Sequence, residues 1–136
     1  MISLIGISAM LASVTATASA QSPPPVFECI GTGRSQGSAY GVQEVVDTRY
    51  RIEGEGQQMS VRRLGYKTED MCPAGAACTI VATDDIVQLE VSKIPNADPL
   101  YSTHFRFDRK RLLFEAGGGG LDGGWSITGQ CKPEHF

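Results

Sequence analysis

The sequence predicts an all-β domain, a small antiparallel barrel or sandwich of about seven or eight strands stapled by disulfides. Three observations carry this prediction. Apolar and polar residues alternate with period two through much of the chain after Val26. Gly, Asp, Asn and Pro clusters interrupt the alternation at short intervals. Four cysteines, Cys29, Cys72, Cys78 and Cys131, follow a segment that reads as an export signal.

That signal is expected over residues 1–20. An uncharged run through Ile2, Leu4, Ile5, Met10, Leu11 and Val14 ends in Ala18-Ser19-Ala20, an A-x-A cleavage pattern, so the mature chain is expected to begin at Gln21. No Lys or Arg precedes the run, and the amino terminus alone supplies the positive charge of an n-region. Ser, Thr and Gly break it up, which leaves it short of the ~20 apolar residues of a bilayer span. Val26-Phe27-Glu28 before Cys29 is not the small-residue pattern of a lipid-anchored cysteine. A periplasmic or secreted location is therefore expected, with no stable membrane insertion of the mature chain. Residues 21–26 carry three consecutive prolines and read as an extended tail.

A single β domain is expected over residues 27–132, beginning near Phe27. Val46, Thr48, Tyr50 and Ile52 are predicted to share one face of a strand whose other face carries Asp47, Arg49, Arg51 and Glu53. Gly54-Glu55-Gly56-Gln57 turns the chain, and Met59 and Val61 return on the next strand. Residues 78–82 form a β-compatible run, Thr83-Asp84-Asp85 a turn, and Val87, Leu89 and Val91 the inward face of the partner strand. After the loop Asn96-Ala97-Asp98-Pro99, residues Tyr101, Thr103, Phe105 and Phe107 point inward. Leu112 and Phe114 follow a turn at Asp108-Arg109-Lys110; helix formers compete over residues 111–116, but the segment is short. The last strand runs from Trp125 to Lys132, with Trp125, Ile127 and Cys131 on one side, and residues 133–136 are expected to fray.

The favoured pairing is Cys29 with Cys131 and Cys72 with Cys78. Pro73 and Gly75 permit the tight return of the short loop, while Cys29 and Cys131 sit on the apolar faces of the first and last strands, which become neighbours when a meander closes. The five residues between Cys72 and Cys78 exceed zinc-ligand spacing, and no C-x-x-C redox motif occurs. Neither a metal site nor a cofactor is predicted.

The formal charge of −3 comes from interspersed acidic and basic residues, so no field steers nucleic acid to the surface. Arg106, Arg109, Lys110 and Arg111 read as a solvated turn beside Asp108 and Glu115. His104 falls on the polar face of its strand and His135 lies near the terminus; neither has an evident carboxylate partner in sequence, and no catalytic residue is assigned. Asp84 and Asp85 lack the alternating pattern of a calcium loop and are assigned to turn chemistry.

The most unusual segment is Gly117, Gly118, Gly119, Gly120, Leu121, Asp122, Gly123 and Gly124. It lacks the Gly-Lys-Ser/Thr of a phosphate-binding loop and is read as a flexible hairpin connection, with Leu121 at the tip of a partner-binding loop as the functional alternative. Tyr50, Tyr101, Phe105, Phe107, Phe114 and Trp125 are expected to fill the interior of a small barrel, with a ligand-lined cavity as the alternative.

By elimination the chain is expected to be a non-catalytic binding module or an enzyme inhibitor with a protein partner in the cell envelope; a small-molecule carrier with an apolar interior is the second reading. In size, export, strand pattern and disulfides it is similar to small periplasmic β-barrel proteins, some of which inhibit lysozymes or secreted proteases. That likeness implies inhibition as an option and assigns no residue to it.

Overall fold

The computed structural model describes residues 25–134. The export signal predicted over residues 1–20, most of the proline-rich tail and His135 lie outside the described residues. Nine strands form one antiparallel sheet that curls into a half-barrel: β1 Phe27–Gly37, β2 Gly41–Glu53, β3 Ser60–Leu64, β4 Glu69–Asp70, β5 Ala77–Ala82, β6 Ile86–Ser92, β7 Ser102–Asp108, β8 Leu113–Gly120 and β9 Gly123–Pro133. The strand beyond the expected seven or eight is β4, two residues long, which carries no alternation to read.

Strand order is β4-β3-β2-β1-β9-β8-β7-β6-β5. First and last strands are neighbours, as the closure argument requires, and their ladder runs from Phe27 opposite Pro133 to Gly37 opposite Gly123. That ladder lies in the interior of the sheet. The two edges are instead β4 and β5, which are consecutive in the chain.

Both expected disulfides are present. Cys29 and Cys131 are direct cross-strand partners with Cα atoms 3.9 Å apart. The Cys131 amide donates to Leu112 O at 2.8 Å, on the β8 side, so the pair occupies the closer, non-hydrogen-bonded position of the antiparallel ladder. Cys72 and Cys78 close the loop between the two edge strands, where Gly75 turns at φ +89 and Ala76 donates to Pro73 O. These bridges fit an oxidising, exported environment.

Alternation places the core as expected along β6 and β7, where Val87, Leu89, Val91, Phe105 and Phe107 are all buried. Tyr50, Phe105 and Phe114 meet ring to ring across the curl, with centroids 5.2 to 5.5 Å apart. Phe27 packs on Phe107 at 4.8 Å. Glycines make room for these rings. Phe107, Phe114, Gly129, Gly31 and Thr48 form one row across five strands, and a Cβ at Gly31 would stand 2.7 Å from Phe114 Cζ.

The structure corrects β2 at one residue. Gly31 pairs with Thr48 but Gly33 pairs with Val45, so Val46 and Asp47 together oppose Thr32. This bulge, with Asp47 at φ +53, shifts the alternation by one. Val46, expected inward, is 65% exposed, and Val45 takes the inward place.

Residues 113–116 are strand, as expected despite the competing helix formers, because they pair with both β7 and β9. Two further details differ from expectation. The turn after β5 is held by Thr83, whose hydroxyl accepts from the Asp85 and Ile86 amides, rather than by the aspartates. At the other terminus β9 continues through Pro133, and Glu134 is tied down by its amide bond to Val26 O and an ion pair with Arg51 at 3.2 Å.

Basic residues after β7 are occupied locally. Asp108 Oδ1 accepts from the Lys110 and Arg111 amides, and these bonds, Arg111 foremost, hold the Asp108 carboxyl below its ordinary range. Arg109 donates to Thr83 O and lies over the Phe27 ring, while Lys110 pairs with Asp85.

Candidate binding cleft at the glycine-rich end of the sheet

The glycine-rich segment is not the flexible connection expected from its sequence. Gly117, Gly118, Gly119 and Gly120 belong to β8, Gly123 and Gly124 belong to β9, and only Leu121 and Asp122 form the turn between them. Composition misleads here because the missing side chains are replaced by rings from neighbouring strands. A Cβ at Gly118 would lie 2.7 Å from Trp125 Nε1 and 2.8 Å from Thr103 Cγ2, and one at Gly117 would lie 2.7 Å from His104 Cε1.

At the end of the sheet, Gly120, Gly123, Gly37 and Gly41 stand in one register row across β8, β9, β1 and β2. Gly123 and Gly41 have φ of +131 and +72, which side-chain-bearing residues rarely adopt. The row leaves bare backbone where side chains would otherwise stand, and Tyr40 folds over part of it, its Cε1 2.6 Å from the Cβ position of Gly37.

Three connections meet at this end and are bonded to one another. Asp98, in the segment between β6 and β7, accepts from the Leu100 amide through Oδ1 and from the Leu121 amide through Oδ2, both at 2.7 Å. The Ser38 amide, in the β1–β2 hairpin, donates to Asp122 O at 3.2 Å. Asp98 thus couples two of the connections, and Asp122 joins the third.

An open cleft of about 310 Å³ lies among these connections. Its aromatic walls are Tyr40, Tyr101 and Trp125. Trp125 Nε1 donates to Tyr101 Oη at 2.9 Å, and the Tyr40 and Ser35 hydroxyls share a bond of 3.1 Å. Asp98 and Asp122 supply the charge of the lining, which includes no Lys, Arg or His. Tyr40 in the lining is 53% exposed, and Leu100 and Leu121, next in sequence to the lining residues Tyr101, Gly120 and Asp122, are 67 and 70% exposed.

The aromatic residues singled out in the sequence therefore separate into two groups. Tyr50, Phe105, Phe107 and Phe114 are buried and fill the interior, whereas Tyr101 and Trp125 are partly exposed and line the cleft. Tyr40 and Asp98 were not recognisable as site residues. Asp98 reads only as part of a turn, and Tyr40 reaches the cleft through long-range pairing of β1 with β9.

His104 does acquire a carboxylate neighbour. Glu90 is its cross-strand partner, and both line a separate outer-face depression of about 420 Å³ with Ser92 and Ser102. Among the described residues, however, no hydrogen bond joins His104 to Glu90 or to either serine, and Glu90 accepts instead from Gln88 at 3.3 Å. A broader trough of about 560 Å³ lies over β7, β8 and β9, where Arg106 and Glu115 are cross-strand partners of opposite sign.

Among the described residues no group of three or more His, Cys, Asp or Glu side chains is placed to hold a metal ion, and no helix is long and apolar enough to cross a membrane. No protein-family profile, curated protein or solved structure matches the chain.

Proposed function

We propose that the protein is an exported, non-catalytic binding module that captures or inhibits a protein partner in the periplasm or outside the cell, and that it does so through the glycine-rich end of the sheet. The observation that carries this reading is the bonding of three connections into one surface by Asp98 and Asp122, beside a cleft lined by Tyr40, Tyr101 and Trp125. Such cross-bonding orders the surface before contact, which lowers the entropic cost of association. Tyr and Trp side chains are enriched at the energetic centres of interfaces.

The test is site-specific photocrosslinking in the native envelope followed by mass spectrometry. A photoreactive residue at Leu121 should trap a discrete partner, and the same group at Val81, exposed on edge strand β5, should not. A partner trapped from Val81 alone, or none from Leu121, overturns the proposal.

A further inference from the structure

The cleft is selective in the chemistry of its walls, and from that we infer that it receives the side chain of a Lys or Arg presented by the protein partner. The inference rests on reading this end of the sheet as the binding surface, and it adds the kind of group that enters. Both charged residues of the lining are aspartates, and among the described residues the lining includes no cationic side chain. Asp98 is held by two backbone amides, which fixes its position, while Asp122 stands exposed on the turn and is bonded only through its backbone carbonyl.

The aromatic walls favour the same sign of ligand. An aromatic face carries the negative end of the ring quadrupole and attracts ammonium and guanidinium groups, Trp and Tyr more than Phe. Tyr40 lies against the Gly37 backbone yet is 53% exposed, so the rest of its surface remains available to a ligand. The indole N–H of Trp125, the ring's own donor, is already engaged by Tyr101 Oη. The carboxylates, aromatic faces and glycine backbone therefore leave the cleft richer in acceptors than in donors.

Exposed apolar residues next in sequence to the lining explain why the cation belongs to a protein rather than being a free ion. Leu100 precedes Tyr101 and Leu121 precedes Asp122, and both are exposed to meet the methylene stem of a Lys or Arg and the side chains beside it. Anionic groups meet two carboxylates and no compensating cation.

Trp125 is the sole tryptophan of the chain and sits in the cleft, so its emission reports on occupancy. The purified protein, with both disulfides formed, is titrated with end-blocked tri-arginine and tri-lysine, and separately with end-blocked tri-glutamate and a neutral chitotetraose. Saturable change with the basic peptides, weakened by salt and absent with the other two probes, is the expected result. Tyr40→Ala should weaken basic-peptide binding about three- to five-fold, and Asp122→Lys by about ten-fold or more. No response to the basic peptides, or a response that Asp122→Lys leaves intact, overturns the inference. A response to chitotetraose in their place also overturns it. The reading of the surface stands or falls separately, on whether Leu121 crosslinks to a partner.

Discussion

Cys29 on β1 and Cys131 on β9 face each other directly across the ladder, their Cα atoms 3.9 Å apart, although 102 positions separate them in sequence. This bridge fastens the one ladder that joins the β1–β4 half of the meander to the β5–β9 half. The Cys72–Cys78 bridge spans only six positions, between the two edge strands.

The two disulfides should therefore differ in their effect on stability. In the chain-entropy account, closing the long loop contributes about 4.7 kcal/mol and the short loop about 2.4 kcal/mol. Replacing Cys29 and Cys131 together by Ala should lower the urea midpoint markedly more than replacing Cys72 and Cys78. Equal shifts would contradict the argument, since Cys29 and Cys131 are also buried in the core and their loss removes packing as well.

A second prediction distinguishes packed strand from loop in the glycine-rich segment. Gly118→Ala drives a methyl into Trp125 and Thr103 and should cost about 1–3 kcal/mol. It should also displace the indole from Tyr101 and alter the tryptophan emission. At Gly119 the nearest atom to a Cβ is Gly123 O at 3.2 Å, a tighter fit than usual but without a ring to displace, so Gly119→Ala should leave the emission unchanged. Calorimetry and fluorescence on the two variants check both statements.

Tyr50 makes the fold sensitive to alkali. Its hydroxyl is buried with no hydrogen-bond partner among the described residues, and burial pushes the phenol up to about 12, with Arg63 opposing the shift. Because the folded state holds this proton more tightly than the unfolded chain, the contribution is complete below pH 10 and is lost as pH rises toward 12. The loss amounts to about 2–3 kcal/mol. Urea titrations between pH 9 and 12 should show this fall in the wild type and a smaller one in Tyr50→Phe. At pH 7 that variant should be as stable as the wild type or up to about 1–2 kcal/mol more stable, since it removes an unsatisfied buried group.

The bulge in β2 supplies a fourth test. Asp47 holds φ +53, a region open to Asp and Gly but costly for β-branched residues. Asp47→Val should destabilise by about 1–2 kcal/mol, and Asp47→Gly should be close to neutral. If Val were tolerated as well as Gly in thermal unfolding, the bulge would not be held by this residue.

Local chemistry determined the strands and the crosslinks. Period-two alternation in residues 86–92 and 102–108 is set by which side chains must leave water, and each turn between strands carries its own Gly, Asp or Thr signal. The Cys29–Cys131 pairing was legible too, because both cysteines share the apolar face of a terminal strand. Tertiary structure decided what depends on register. Val46 points outward because the pairing of β1 with β2 slips by one residue between Gly31 and Gly33, which no window on β2 alone reveals. The glycines at 117–124 are strand rather than loop because Trp125 and His104 supply the bulk that their own side chains lack. The cleft is a property of the assembled sheet. Tyr40, Asp98 and Trp125 lie far apart in sequence, and pairing of β1 with β9 and β9 with β8 is what brings their backbones to one end.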